Sequence, residues 1–253
     1  VIVVLTWGMW IAEAQSATTP DQAKEIIDKS LKAARSQNEE SEYVMRLVGR
    51  EGEEGVRKMR VWYKTKNDEN FSLLIKFSEP ANIRGTGLLS VVEKGKDPSQ
   101  WLYMPALKKT RRITGGSSSE SFLGSDFSIG DISVDPHNRF KFKVTGSTKC
   151  GDSDCHLLEG TPQNDGPYSK KIMQVRKDNY LNVRTEFFNK AGQLEKVMTL
   201  GGMYQAPDKR WWAKQVEMSN VLNNHKTVIE YEKRDMTKVP SDSVFTKAFL
   251  EKN

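Results

Sequence analysis

The chain of 253 residues carries 39 basic and 33 acidic side chains, for a formal net charge of +6. Hydrophobic residues make up 37% of it, and its apolar share lies somewhat below that of average globular domains. This composition indicates a globular, mildly basic protein and argues against intrinsic disorder. Six Trp, seven Tyr and ten Phe can supply a sizeable core, and the length is compatible with one all-β domain.

The first residues resemble a secretory signal. The segment Val1–Ile11 is uncharged and apolar, and Ala12-Glu13-Ala14 follows it with the A-x-A pattern of signal-peptidase sites. The apolar run is shorter than the roughly 20 residues that a membrane span needs. We therefore expect a signal peptide over residues 1–14, truncated at its start, and one exported domain over residues 15–253. The alternative is a buried N-terminal strand.

One helix followed by a long series of strands is predicted. The segment Thr19–Gln22 has the residues of a helix start, and apolar residues recur at helical spacing from Ala23 to Ala34. From Tyr43 onward the hydrophobic period is two. About ten to twelve strands succeed one another without crossover helices, which predicts an antiparallel sheet. A short second helix is expected near Ser243–Leu250.

The predicted sheet has more apolar surface than the predicted helix can cover. A helix of about 16 residues is about 24 Å long. Either the sheet closes into a barrel on its own side chains, or a concavity remains for an apolar ligand.

The two cysteines, Cys150 and Cys155, stand in a polar turn between two strand-like runs. In an oxidising compartment such a pair closes a short loop. The rival is a metal site that adds His156 with Asp152 or Asp154, but Cys-x4-Cys beside a His is not a usual zinc spacing. We expect a disulfide and no metal.

Residues that carry catalytic chemistry are sparse. The three histidines are far apart in sequence and in no metal-ligand pattern: His137, His156 and His225. The least ordinary cluster, which would supply an acid–base pair for a hydrolase, is Asp126, Asp131, Asp135 and His137. Aspartates in loops are usually turn and cap residues. We therefore expect no enzyme and no cofactor.

A dense basic run comprises Lys108, Lys109, Arg111 and Arg112. Nucleic acid is a poor partner for an exported protein without an aromatic RNA-binding pattern. Two interpretations stay open. The run contacts anionic lipid head groups at a membrane surface, or it is a solvated strand that discourages edge pairing.

The stretch from Phe77 to Phe127 carries a family resemblance. It contains FSEPANIRGTGLL, WLYMPALKKTRRI and SSSESFLGSDFS in order. This succession resembles the outer-membrane lipoprotein-sorting protein family, whose members look like the periplasmic lipoprotein carriers LolA and LolB. Later segments also fit, including the Cys150–Cys155 hairpin and Thr185–Phe188.

The resemblance implies a periplasmic protein with an antiparallel half-barrel of about eleven strands, lidded by helices. Its apolar cavity would shield acyl chains of lipoproteins or lipids in transit towards the outer membrane. An RND-type inner-membrane exporter is an implied partner. The alternative is an adaptor of an envelope export complex with a filled core and no ligand. The candidate lid is the Ala23–Ala34 helix together with the loop Gly115–Ile129.

The candidate cavity residues are apolar or aromatic and lie on alternating strand positions or in that loop. They are Phe71, Leu73, Ile75, Phe77, Trp101, Tyr103, Phe122, Leu123, Phe127, Phe140, Phe142, Met173, Val175 and Phe187. Strand parity places each group on one face without saying which face is inward. For each residue, an ordinary core role beneath the helix is the alternative.

Overall fold

The computed structural model describes residues 20–67, 70–96, 98–132, 139–206 and 209–252. The α-helices are α1 Pro20–Ala34, α2 Ile129–Ile132 and α3 Lys247–Leu250, and short 3-10 helices are Pro105–Leu107, Gly115–Ser119 and Asp242–Phe245. The strands are β1 Asn38–Val48, β2 Glu54–Asn67, β3 Asn70–Glu79, β4 Gly87–Val92, β5 Ser99–Met104, β6 Lys109–Ile113, β7 Phe140–Cys150, β8 Ser153–Pro162, β9 Tyr168–Arg176, β10 Asn182–Asn189, β11 Leu194–Gly201, β12 Tyr204–Gln205, β13 Trp211–Trp212, β14 Gln215–Asn220 and β15 His225–Asp235.

Thirteen of these strands form one sheet in the order β6-β5-β4-β3-β2-β1-β15-β14-β11-β10-β9-β8-β7. Every pairing in the sheet is antiparallel. The strands β6 and β7 occupy its two edges, and β12 pairs with β13 in a separate hairpin. The predicted fold class, a mainly antiparallel half-barrel covered by helix, is confirmed. Over the described ranges the sheet has thirteen strands, where the resemblance implies about eleven.

Cross-strand register defines a single apolar face, because residues directly opposite one another in a ladder share a face. In the N-terminal half the apolar row continues through Leu102, Leu88, Ile75 and Val61. In the C-terminal half, register continues through Met218, Met198, Thr185, Met173, Leu158 and Val144. Thr227 of β15 joins the halves, since it lies opposite both Met218 and Leu47. We call this surface the inner face.

The helix α1 lies across one end of the inner face. Ala23, Ile26 and Ile27 are buried against Leu158 and Val175. The predicted helix is therefore confirmed, and its apolar stripe is the surface that docks. Among the described residues, no helix combines the length and the apolar character that crossing a membrane requires. The predicted signal peptide over residues 1–14 lies outside the described residues.

The outer face is covered at β2–β5 by the C-terminal helices. Trp62, Leu74 and Leu89 are buried there against Leu250 of α3. Trp101 and Tyr103 belong to this outer cluster. Their placement with the inner candidates is therefore wrong: β5 turns Gln100, Leu102 and Met104 inward, and the side chains between them point outward.

The cysteines form the expected disulfide. Cys150 and Cys155 are bonded across the turn between β7 and β8. Cys155 is fully buried, and the bond ties the edge strand β7 to the neighbouring strand β8.

Candidate functional site

The inner face is a continuous apolar wall made of three neighbouring clusters. Phe71, Leu73, Ile75 and Phe77 of β3 lie in the first, with residues of β1, β2, β4 and β5. Phe187 and Phe140 lie in the second, with Tyr168 and Met218. Met173, Val175 and Phe142 lie in the third, beneath α1. Nine of the fourteen sequence candidates thus come from four strands of one face, β3, β7, β9 and β10.

A strap crosses this wall. The strands β6 and β7 follow one another in sequence but lie at opposite edges of the sheet, so the chain between them must pass from one edge to the other. We call residues 114–132 the strap. Its Phe122 is packed into the first cluster with Leu123 beside it, and Phe127 is packed into the second. The ring centroids of Phe122 and Phe77 are 5.5 Å apart.

Asp126 fastens the middle of the strap to β15. Its buried carboxylate accepts a hydrogen bond from the Thr227 hydroxyl at 2.7 Å, and its backbone N–H donates to the same hydroxyl oxygen at 3.0 Å. His225 Nδ1 lies 2.7 Å from the carboxylate. Thr227 is fully buried, and its hydroxyl and the His225 ring both contact the Asp126 carboxylate in the three-residue group. The three side chains form an anchor between strap and sheet.

Asp131 fastens the end of the strap. Its carboxylate accepts hydrogen bonds from the Tyr168 hydroxyl at 2.9 Å and from the Ser128 backbone N–H at 2.8 Å. Burial, followed by the charge of Asp131, raises the pKa of Tyr168. The predicted hydrolase cluster therefore separates: Asp126 and Asp131 hold the strap at two points, and Asp135 and His137 lie outside the described residues.

The basic run lies on the edge strand β6 and the turn before it. Arg111 forms a two-pronged ion pair with Glu120 of the strap. Lys109 and Arg112 are exposed, and so is Lys108 at the preceding turn. The strand β6 is a sheet edge, and both interpretations of the run, contact with anionic head groups and discouragement of edge pairing, stay predictions.

Lys171 is a buried cation of the inner face. It is 8% exposed, and its ammonium nitrogen lies 4.1 Å from the ring centroid of Phe140 and 5.1 Å from that of Phe142. Its pKa is lowered to about 8, chiefly by burial; the charge of Asp131 opposes this shift and the charge of Arg139 adds to it. The alternation of β9 places Lys171 on the apolar face, but sequence analysis did not single it out.

Glu39 is a second buried charged residue that the sequence pattern does not reveal. Glu39 accepts hydrogen bonds from Arg234 at 3.0 Å and from Ser36 at 3.0 Å, and Tyr43 donates to it as well. Arg234 also lies over the Trp212 ring at 3.8 Å. These partners lie where the chain passes from α1 into β1. In the described part of the chain, no group of acidic, His and Cys residues is arranged to hold a metal ion.

Solved structures with the same architecture define the class of protein. An outer membrane lipoprotein-sorting protein domain from Vibrio parahaemolyticus superposes with a TM-score of 0.85 at 24% identity, covering 92% of this chain and all of that one. A LolA superfamily protein from Nitrosomonas europaea gives 0.70 at 22% identity over 90% and 98% of the two chains. The fold is therefore that of the LolA-like proteins, and the resemblance seen in the sequence is confirmed.

A closer match in sequence is a DUF1329 family protein from Desulfovibrio piger, with 28% identity, a TM-score of 0.80 and coverage of 90% and 98%. Residues 69–252 match a family model described as "-like: Uncharacterized protein", and the chain belongs to that family. No curated protein sequence matches it.

Proposed function

We propose that this protein is a periplasmic carrier that shields the acyl chains of lipids or lipoproteins against its inner face during transfer towards the outer membrane. The observation that carries the proposal is the continuous apolar wall, on which the strap and the helix α1 lie. The similarity to a lipoprotein-sorting domain and to a LolA superfamily protein supports it.

Acyl chains suit such a wall because their burial needs no directional contact. Each buried methylene gains about 0.8 kcal/mol, so one long chain gains on the order of 10 kcal/mol before the cost of moving the covers. The strap side chains Phe122 and Phe127 occupy the wall in the closed form, and we infer that cargo takes their place. This role needs binding and release and no catalytic group.

The experiment uses the full chain, stripped of lipid, with a fluorescent fatty acid as the probe. Stoichiometric binding to the folded protein is expected, and lipid mass spectrometry of the untreated protein should find bound acyl lipid. A stripped, folded protein that binds no acyl probe would refute the carrier function.

A matched variant tests the strap as a lid. The double variant Asp126→Cys, Thr227→Cys places two thiols at neighbouring positions of the strap and β15, so that a disulfide can lock the strap. In the native protein the Asp126 backbone nitrogen and the Thr227 hydroxyl oxygen are 3.0 Å apart. We expect the oxidised variant to exclude the probe and the reduced variant to bind it. The native protein, treated with the same reductant, controls for Cys150–Cys155. Equal binding by both forms would contradict a lid role.

The second candidate is an adaptor of an envelope export complex, and the strap is the observation that favours it. Because Phe122 is 1% exposed and Phe127 is 4% exposed, the wall is already filled by the chain itself. An adaptor would bind no acyl probe but would crosslink to a membrane transporter; we propose an RND-type inner-membrane exporter as that partner for either role. Acyl binding together with a crosslink supports a carrier that docks on the exporter.

A further inference from the structure

Lys171 is buried on an apolar surface, where a charged ammonium group is energetically unfavourable. It is on the inner face of β9, directly opposite Phe187 of β10 and between the clusters under α1 and under the strap. Within the described residues, no carboxylate lies within ion-pair distance of its ammonium group. An ammonium group has three donors, and aromatic faces offer attraction but no oxygen acceptor.

The neighbouring strands are shaped around this side chain. Gly160 of β8 lies directly opposite Lys171, and a Cβ there would be 2.7 Å from Cε1 of Phe142 and 3.2 Å from Cγ of Lys171. A glycine at this position therefore lets the phenyl ring and the lysine stem lie across β8. Phe140 and Phe142 hold the ammonium group on the inner face.

The charges around Lys171 belong to different parts of the fold. Arg139 begins the approach to β7, and its guanidinium lies against Gly130, where a Cβ would be 2.6 Å from Nη1. The carboxylate whose charge acts on Lys171 is Asp131, which belongs to the strap and is hydrogen-bonded to Tyr168 and Ser128. Lifting the strap would therefore remove the acid and leave the sheet with a buried lysine and a tyrosine hydroxyl without its acceptor.

We propose that Lys171 and the Tyr168 hydroxyl bind the anionic head group, a carboxylate or a phosphate, of an amphiphile whose acyl chain lies on the inner face. In the closed form Asp131 supplies the negative charge, and the head group replaces it when the strap opens. This inference rests on the proposed carrier function and adds the chemical class of the cargo. An amphiphile with a neutral head group leaves the lysine without an acceptor.

The test compares palmitate with hexadecanol, which share a chain length and differ in charge. Binding of each to the stripped full chain is measured by calorimetry for the native protein and for Lys171→Met. The native protein should bind the acid roughly tenfold or more tightly than the alcohol, because a charge-assisted hydrogen bond in a dry site is worth that factor. Lys171→Met should lose this preference while binding hexadecanol at least as tightly as before.

Lys170→Met is the matched control. Lys170 is the next residue on β9, faces outward, and lies over the Phe188 ring at 4.5 Å. This variant should keep the preference for palmitate. Equal affinity of the native protein for acid and alcohol would overturn the inference and leave the carrier function standing. If Lys171→Met still bound palmitate more tightly than hexadecanol, the inference would also be overturned and the carrier function would stand. Binding of neither probe would overturn both proposals.

Inorganic phosphate and acetate, each tested alone, separate an amphiphile site from a small-anion site. We expect no calorimetric signal from either at concentrations where palmitate saturates, because the acyl chain supplies most of the binding free energy. Saturable binding of either ion at those concentrations, lost in Lys171→Met, would overturn the assignment to an amphiphile.

Discussion

The helix α1 and the strap both cover the inner face, and they are fastened differently. The helix α1 contacts the sheet through Ala23, Ile26 and Ile27 on apolar partners, and its ion pairs are on the exposed side. The strap also buries aromatic rings, but Asp126 and Asp131 hold it to the sheet by hydrogen bonds. Apolar contact is non-directional and can be re-formed with other apolar groups. Buried hydrogen bonds are either made or lost at a cost, so the strap has the character of a two-position element.

The largest expected effect is a difference in stability loss between a variant in the wall and a variant in the strap. Phe77 and Phe122 are in contact, and both are almost fully buried. Phe77→Ala should lower the free energy of unfolding by about 3–5 kcal/mol, the usual cost of a large cavity. Phe122→Ala should act mainly by speeding hydrogen exchange in the strap, with a smaller loss of global stability. Denaturant titration and exchange measured by mass spectrometry check this, and equal global losses would show that strap and wall unfold as one unit.

Lys171 should give the next largest effect, and the size of that effect depends on pH. Its folded-state pKa of about 8 is below the unfolded value near 10.4. The buried charge therefore lowers the free energy of unfolding at neutral pH. The unfolded chain binds more protons between these pH values, and native stability rises with pH across that window. Lys171→Met should therefore be about 2–3 kcal/mol more stable than the native protein at pH 7, with the gain shrinking towards pH 10.5.

Urea titration at pH 7, 8.5 and 10 measures that gain, and Lys170→Met again serves as the control. A loss of stability in Lys171→Met at pH 7 would mean that contacts to Phe140 and Phe142 outweigh the burial of charge. Added palmitate should reduce the difference between the native protein and Lys171→Met, because a bound anion offsets the cost of the buried cation.

The strap anchor should give a smaller, local effect. Thr227→Val removes the hydroxyl that donates to Asp126 and accepts from its backbone N–H, at a cost of about 1–3 kcal/mol for a buried carboxylate that loses a partner. We expect faster hydrogen exchange around Asp126 and faster uptake of an acyl probe, followed by stopped-flow fluorescence. Thr199→Val makes the same chemical change on the outer face of β11 and should leave both rates unchanged.

The smallest effect is expected from the polar side of α1. Glu25 pairs with Lys29 at 2.6 Å on the exposed surface of the helix. Glu25→Gln should leave the unfolding free energy and probe binding within experimental error, because exposed ion pairs contribute little. A clear loss of probe binding would show that α1 is held by charge and would remove the contrast with the strap.

Local pattern in the sequence was sufficient for α1, for the strands of the inner face and for the Cys150–Cys155 pair, because helical spacing and two-residue alternation depend on near neighbours. The same alternation cannot say which face is inward. A sequence pattern therefore groups Trp101 and Tyr103 with Phe77, although both contact the C-terminal helices.

The strap and its anchors depend on long-range pairing. Asp126 meets Thr227 and Asp131 meets Tyr168 only because β6 and β7 lie at opposite edges of the sheet. The pairing of Glu39 with Arg234 likewise joins residues from the two ends of the chain. No periodicity within a segment carries that information.

The seam between β1 and β15 has a consequence for how the chain folds. Tyr43 pairs with Tyr231 there, so β1 cannot complete its pairing until β15 has been synthesised. During synthesis from the N-terminus, the chain can form the antiparallel series β1–β6 and then β7–β11. The two series join only after β15 has been made. Non-local pairing of this kind slows folding. Until that moment both halves expose unpaired strand edges, so β1 is the place where a newly made chain most needs protection from pairing with the wrong neighbour.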